Sequence, residues 1–315
     1  MVGNDWPRVA VVGAGAVGCY FGGMLARAGA PVTLIGRAPH VEAINRDGLF
    51  IDSIHFKENI SVSASSELAA ARDAQLVLFS VKTLDTENVA KQLAPYLAPE
   101  TIVVSLQNGV DNVERIDFAA GIQAIPAVVY IAVEMIGLGR VKHSGRGDVI
   151  VGDPSPNHEV SESDLAKIAT AFMRADVPCR ISENITVELW EKLIMNCAYN
   201  ALSALSRSKY GRIARDSGTV EVMKRVVSEA VAVGNAAGVK LSAEKMFEAV
   251  LKLGAEAMPE AVSSTAQDIA RGKATEIDSL NGFLVRRGAE LIVPTPVNET
   301  LYSLVKLLEQ APSVG

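Results

Sequence analysis

The strongest constraint on this chain lies near its start, in the run Val9-Ala-Val-Val-Gly-Ala-Gly-Ala-Val-Gly18. Val9 to Val12 form a short apolar segment closed by glycine, the pattern of a strand buried on both faces of a parallel sheet. Gly13, Gly15 and Gly18 then fall at G-x-G-x-x-G spacing, and Val17, Phe21, Met24, Leu25 and Ala28 continue as the apolar face of a helix. A helix that opens directly after a strand aims its first-turn N–H groups and the positive end of its dipole at the turn. The spacing therefore predicts a dinucleotide cradle in which Gly13, Ala14, Gly15, Ala16, Val17 and Gly18 surround a pyrophosphate.

Pro31 to Ile35 reads as the next strand, and it ends roughly twenty residues beyond the glycine turn, where an acid usually accepts from a ribose 2′-hydroxyl. Here the sequence is Gly36-Arg37. A guanidinium in place of the carboxylate suits a 2′-phosphate and predicts NADP(H). The plainer alternative is that Arg37 only flanks a helix starting near Pro39.

Further strands follow at Gln75 to Val81, ending at Lys82, and at Thr101 to Leu106, ending at Gln107-Asn108-Gly109. Open α/β sheets bind ligands at the carboxyl edge, so topology places Lys82 and Asn108 near the cofactor. Each has a bland counterpart: Lys82 as an exposed loop residue, Asn108-Gly109 as a turn signal. Leu49 to Ser63 alternates about a polar Lys57-Glu58-Asn59 centre and reads as an exposed hairpin inserted in the wound sheet. Ile122 to Ile136 and Val149 to Val151 read as strands linked by a glycine-spaced connection from Gly137 to Gly147. A loop is expected over 153–158, a helix from Glu162 to Arg174, and a last strand near Cys179 to Ser182.

From Asn184 onward strand signals vanish. Helices are expected at Ile185 to Ser206, Gly218 to Ala237, Ser242 to Leu253, Ala261 to Arg271, Glu276 to Arg287 and Val297 to Leu308, with Asn184 as an N-cap and Gly238 as a stop. The fold class expected is α/β: an N-terminal Rossmann-type doubly wound sheet over residues 1–182 and a C-terminal all-helical domain over 183–315. The 315-residue length has room for both.

A net charge of −6 gives no reason to expect a nucleic-acid partner. Cys19, Cys179 and Cys197 are odd in number and fit no metal-ligand spacing, so a reducing cytoplasmic setting and no bound metal are expected. Residues 1–8 carry an acid and lack an apolar core, unlike a signal peptide. The apolar run Ala124 to Gly139 contains Pro126 and Glu134 and is too short to span a bilayer as a helix.

The first long helix of the second half contains Trp190-Glu-Lys-Leu-Ile-Met-Asn-Cys-Ala-Tyr-Asn200. Lys192, Asn196 and Asn200 recur at i, i+4, i+8, so they share one stripe of an otherwise apolar helix and should border a cleft. An ammonium there can donate a proton or neutralise an oxyanion, while the amides supply donors and acceptors to a polar substrate. Partial desolvation would lower the lysine pKa towards neutrality. A solvated amphipathic stripe is the competing reading. Thr275 and Asp278 have capping-box spacing, which would put Glu276 in a first helical turn. Glu276 is then either ordinary helix-start chemistry or a partner that orients Lys192 or bonds a substrate hydroxyl.

The glycine turn, Lys82, Gln107-Asn108-Gly109, His143-Ser-Gly-Arg-Gly147, Trp190-Glu-Lys192 with Asn196 and Asn200, and the segment from Ser264 to Asn281 with Gln267-Asp268 and Thr275-Glu-Ile-Asp278 together resemble the ketopantoate reductases (2-dehydropantoate 2-reductases) over nearly the whole chain. The resemblance implies NADPH-dependent reduction of a 2-keto acid, with ketopantoate the leading substrate, as in pantothenate biosynthesis. It implies that Gly13 to Gly18 hold pyrophosphate, that Arg37 holds the 2′-phosphate, and that Lys82, Asn108 and Ala132 line the cofactor site. Lys192 would be the proton donor. Asn196, Asn200 and Ser264 would bind substrate, and Glu276 would contact Lys192 and the cofactor. The partner implied is a small keto acid, with neither nucleic acid nor membrane and with a homodimer left open. Three positions depart from the family pattern: Ala201 stands where proline is frequent, and Tyr210 and Ala261 where members carry a substrate-binding asparagine. These departures leave the keto acid open. A related reductase acting on another keto acid, a β-hydroxy acid or an imine is one alternative, and a non-catalytic NADP-binding sensor is another.

Overall fold

The computed structural model describes residues 6–154 and 160–310. The chain divides into two compact units, residues 1–185 and 186–315.

In the first unit β1 (Val9–Val12), α1 (Ala16–Arg27), β2 (Val32–Ile35) and α2 (Ala38–Asp47) open a wound sheet. Next come β3 (Leu49–Ser53), β4 (Lys57–Ile60), β5 (Ser63–Ser65), β6 (Leu76–Phe79), α3 (Thr86–Leu93), β7 (Ile102–Ser105) and α4 (Asn112–Ala120). The unit closes with β8 (Ala124–Gly137), β9 (Arg140–Val151), α5 (Glu162–Arg174) and β10 (Cys179–Ile181). The strand order is β4-β3-β9-β8-β7-β6-β1-β2-β5, with β10 paired to β9. From β5 to β8 every pairing is parallel.

Strand β1 shows why a solid apolar run is needed. Val9 and Val11 join the cluster that contains Phe21 and Leu25 of α1 with Ile168 and Phe172 of α5. Ala10 and Val12 join the opposite cluster with Ala90 and Leu93 of α3 and Ile116 of α4. Both faces of the strand are covered by helices, as the doubly wound reading requires. The chain passes from β1 to β2 and β5 on one side and then crosses back to β6 on the other side of β1, so the strand order reverses at β1. The glycine turn therefore sits at the switch point where such sheets bind ligands.

Two local expectations are corrected. The hairpin of residues 49–60 turns at Ile54-His55, and Lys57-Glu58-Asn59 is strand rather than turn. The pairing sets Leu49 opposite Ile60 and Asp52 opposite Lys57, whose charges meet at 3.0 Å, and β3 joins the sheet in parallel with β9. The glycine-spaced connection expected from Gly137 to Gly147 is almost all strand: β8 and β9 form a long antiparallel hairpin that turns at Leu138-Gly139. Its register shifts between Tyr130 and Ile131, skipping Gly147 (φ +131°), and between Ala132 and Val133, skipping Ser144, while Gly145 pairs with Ala132, so this stretch is bulged strand and not a loop. The loop expected over 153–158 lies for the most part outside the described residues.

The described part of the second unit is helical: α6 (Ile185–Ser206), α7 (Tyr210–Ile213), α8 (Ser217–Ala236), α9 (Ala243–Lys252), a π-helical turn (Leu253–Ala257), α10 (Ser264–Ala270), α11 (Asn281–Glu290) and α12 (Pro296–Gln310). α8 packs against α9, α11 and α12. Two expected helices start late. Ser263 caps α10 by accepting from Ala266 N–H at 3.0 Å, so that helix begins at Ser264 and not at Ala261. Residues 276–287 are not one helix: a 3₁₀ turn at Ile277–Ser279 precedes α11, and Leu280, with ψ −104°, separates them. No described helix is long and apolar enough to cross a membrane.

Candidate active site

The glycine turn is built from three glycines under different constraints. Gly13 has φ +106°, and a Cβ there would lie 2.7 Å from the backbone of Ser80 and Val81. A Cβ on Gly18 would run into the Gly13 carbonyl and lie 2.5 Å from the Ser80 hydroxyl. Gly15 is unlike both: it is exposed, its φ is −81°, and a Cβ would meet nothing within 4 Å. Packing of the protein demands glycine at 13 and 18 and leaves position 15 open to an approaching ligand. Gly15 is also the N-cap of α1 and offers no side-chain cap, so the helix leaves its first-turn N–H groups for an anion. This donor set fits a dinucleotide pyrophosphate.

Neighbouring strand ends fix the turn. Gly13 and Ala14 donate to the Ile35 carbonyl at 3.0 and 2.9 Å, and the Ser80 hydroxyl donates to the Gly13 carbonyl at 2.9 Å. A Cβ on Gly36 would lie 2.7 Å from that of Ala14, so Arg37 follows a residue packed against the turn. Arg37 itself is exposed at the N-cap position of α2. Lys82 is exposed just past β6, and Asn108 is half-buried just past β7. Gln107 stitches these ends together: its amide donates to the Val81 carbonyl at 3.1 Å and to the Thr86 hydroxyl at 2.7 Å, and its oxygen accepts from Ser105 at 3.0 Å. Asn112 holds the Asn108 carbonyl at 2.7 Å. Ala132, half-buried, sits within β8 opposite Gly145.

Ser80 and Asn112 were not picked out from sequence, although their places beside strand ends would have indicated them. His40 had no local signal. Its Nδ1 accepts from Gly139 N–H at 2.8 Å while Nε2 lies 3.3 Å from the Cys19 thiol, which in turn contacts the Ala14 carbonyl at 3.4 Å. Burial lowers the His40 pKa and pushes the Cys19 thiol up to about 12, so this chain beneath the turn is uncharged at neutral pH.

In the second unit Lys192 and Asn196 are half-buried on α6, and Asn200 is 2% exposed. The backbone carbonyl of Asn200 accepts from the Ser263 hydroxyl at 3.2 Å, which ties α6 to the start of α10 and hence to the exposed Ser264. Tyr210 stacks on Tyr199 at 4.2 Å and directs its hydroxyl at Asn200 Oδ1, 3.5 Å away. Burial raises the Tyr210 pKa, so its phenol remains a neutral donor. Tyr210 N–H also donates to the Ala261 carbonyl at 3.0 Å, so two of the three departures from the family pattern are adjacent and share the surroundings of Asn200.

Glu276 is half-buried at the N-cap position of the 3₁₀ turn, which corrects the capping-box expectation. Asp278 does not reach back to Thr275. Its carboxylate accepts from Tyr302 at 2.7 Å and Lys306 at 2.9 Å. Each unit thus assembles its own group: Gly13 to Gly18, Lys82 and Asn108 at one sheet edge with Arg37 beside them, and Asn200 with the start of α10 in the other. A cavity of about 430 Å³ in the first unit, lined by Tyr20, Arg27, His55, Phe56 and Asp148 among others, includes none of these residues. Among the described residues no cluster of His, Cys, Asp and Glu is suited to hold a metal ion.

Comparison with known proteins matches this arrangement to one family over both units. Residues 9–156 match the family model of ketopantoate reductase PanE/ApbA, and residues 184–309 match that of its C terminal. The chain is 32% identical over 303 residues to a 2-dehydropantoate 2-reductase of Pyrococcus horikoshii, covering 96% of this chain and 97% of the relative. The crystal structure of a PanE/ApbA family ketopantoate reductase from Ralstonia eutropha JMP134 superposes with a TM-score of 0.88 at 48% identity, covering 96% and 98% of the two chains. A 2-dehydropantoate 2-reductase structure from Geobacter metallireducens GS-15 gives a TM-score of 0.87 at 27% identity, with coverage of 95% and 99%. The chain belongs to the ketopantoate reductase PanE/ApbA family.

Proposed function

We propose that this protein is an NADPH-dependent oxidoreductase that reduces 2-dehydropantoate to pantoate, with residues 1–182 holding the cofactor and 183–315 supplying the groups that bind and protonate the substrate. The observation that carries this reading is the match of both units to a single reductase family over nearly their full length. Family membership implies a nicotinamide dinucleotide as the reductant and a small keto acid as its partner. The absence of an acid after β2, with Arg37 in its place, supports the phosphorylated form.

When bound, the cofactor would supply a hydride for the carbonyl carbon of the keto acid. Gly13 to Gly18 carry its pyrophosphate, Arg37 its 2′-phosphate, and Lys82, Asn108 and Ala132 line its site. Lys192 stabilises the alkoxide that forms and gives it a proton, two roles that one ammonium performs together. Asn196, Asn200 and Ser264 hold the substrate, with the neutral Tyr210 hydroxyl setting the orientation of the Asn200 amide. Glu276 orients Lys192 and contacts the cofactor. A sensor that has lost catalysis is not favoured, because Lys192 and Glu276 are both retained and the curated relatives are reductases.

The test is NADPH oxidation followed over a panel of 2-keto acids that includes 2-dehydropantoate. Wild type should turn over 2-dehydropantoate best, and Lys192→Ala should lower kcat by about 10²–10⁴-fold, the range for losing a general acid. Absence of turnover with every keto acid, or a Lys192→Ala variant at wild-type rate, rules the mechanism out.

A further inference from the structure

The turn that carries Glu276 is held from outside its own segment. Thr275 is 1% exposed, and both its N–H and its hydroxyl donate to Oε1 of Glu309, at 2.8 and 2.6 Å, although Glu309 lies 34 residues further on. The Thr275 hydroxyl also accepts from Ile277 N–H at 3.2 Å, bridging across Glu276. On the far side, Asp278 accepts from Tyr302 and Lys306, and Lys306 also pairs with Glu309 Oε2 at 2.7 Å. Tyr302, Lys306 and Glu309 recur at i, i+4, i+7, so one face of α12 grips the chain on both sides of Glu276.

Leu301 and Val305 bury the apolar face of α12, and the polar network is made in addition to that packing. The carboxylates are not idle surface charges. Burial alone would raise the pKa of Glu309 and of Asp278, but the donors from Lys306, Thr275 and Tyr302 outweigh it and hold both below the usual carboxylate range, ionised at neutral pH. An ionised, doubly donated oxygen fixes a backbone N–H more firmly than a neutral acceptor does.

We propose that Glu309, braced by Lys306 and Asp278, is a positioning residue that fixes the 275–278 turn and thereby the direction in which Glu276 presents its carboxylate. This rests on the reading of Glu276 as part of the reacting group. A carboxylate that orients a proton donor must be held to a fraction of an ångström, and about 1 Å of misplacement can cost about 10²-fold in rate.

The experiment is a double-mutant cycle on the full chain, with kcat for NADPH-dependent keto-acid reduction measured for wild type, Glu309→Ala, Glu276→Gln and the double variant, each checked by its thermal midpoint. Glu309→Ala should lower kcat by about 10- to 100-fold, and Glu309→Gln, which keeps an oxygen for Thr275, should recover most of it. In the Glu276→Gln background Glu309→Ala should cost no more than about twofold, because residues acting as one unit are not additive. Equal losses in both backgrounds, or wild-type kcat for Glu309→Ala, overturn the proposal. Wild-type kcat for Glu276→Gln instead removes the role of Glu276 and the proposal with it. Thr275→Val breaks the same contact from the other side and runs the same cycle, with the same criteria, if Glu309→Ala does not fold.

Discussion

Alanine at Gly15 separates the cost of folding from the cost of binding. Its φ of −81° is open to any residue and an added Cβ meets nothing within 4 Å, so the fold has no steric objection. Alanine is a poorer N-cap than glycine, but replacing glycine also removes about 0.4–1 kcal/mol of unfolded-state freedom. The two effects oppose, and stability should change by less than about 0.5 kcal/mol. A pyrophosphate lying against this backbone would be displaced by the methyl group. Losing one hydrogen bond to a charged group costs about 1.5–3 kcal/mol, or about 10- to 150-fold in affinity. Gly18→Ala should behave in the opposite way: its Cβ strikes the Gly13 carbonyl and lies 2.9 Å from Val11 Cγ1, so overpacking of about 1–3 kcal/mol should appear in stability itself. Urea midpoints and fluorescence titration with NADPH on the two variants read both quantities. If Gly15→Ala binds NADPH as wild type does, the pyrophosphate is not held where the glycine spacing puts it.

Other expectations can be checked with the same protein. Arg37→Asp should move the kcat/KM preference from NADPH towards NADH, and an unchanged ratio would remove Arg37 from the 2′-phosphate site. Ile292 has φ +60° and is 91% exposed at the end of α11, where Val293 N–H returns to the Gly288 carbonyl at 2.8 Å. The ends of α1 and α8 make the same closure with Gly29 and Gly238. Left-handed backbone costs about 1–2 kcal/mol for a residue with a Cβ, and glycine gives back about 0.5–1 in the unfolded state. Ile292→Gly should therefore stabilise by about 0.5–1 kcal/mol and raise the thermal midpoint by a few degrees; a lowered midpoint would contradict this. His40 and His143 are 8% and 1% exposed, and burial lowers both pKa values. The unfolded chain takes up their protons first as pH falls through about 6.5, so stability should decline below that pH by up to about 1.4 kcal/mol per pH unit for each proton. A urea midpoint that stays flat from pH 8 to pH 5 would show that these rings are not buried neutral.

What could be read from sequence was whatever is local. The strand, glycine turn and helix at residues 9–27 are specified within one contiguous segment, and the ends of α6 at Ile185 and Ser206 follow from an uninterrupted apolar pattern. Most of the errors trace to partners far away in the chain; the start of α10 does not, since it is set by Ser263 accepting from Ala266 N–H three residues on. Gly145 and Gly147 resemble loop glycines until β8 is known to lie opposite them. Thr275 and Asp278 have the spacing of a capping box, but Glu309 and Lys306 on α12 take them instead. The contact of His40 with Gly139 spans 99 residues and leaves no mark in either neighbourhood. In the second unit the stripe of Lys192, Asn196 and Asn200 was legible from spacing, whereas the link from Asn200 to Ser263 was not.

Strand β10 settles where this chain can be cut. The first family model ends at residue 156, and a module for transplantation into another enzyme would naturally be severed there. Cys179 to Ile181, however, zip onto Val149 to Val151, and Phe172 of α5 stacks edge-on against Phe21 beneath the glycine turn. Severing at 156 would bare the N–H and C=O groups along β9 and expose the face of α1 that α5 covers, making a sticky edge of the kind that drives aggregation. A portable cofactor module from this protein has to run through Ile181, past the point at which the first family model ends.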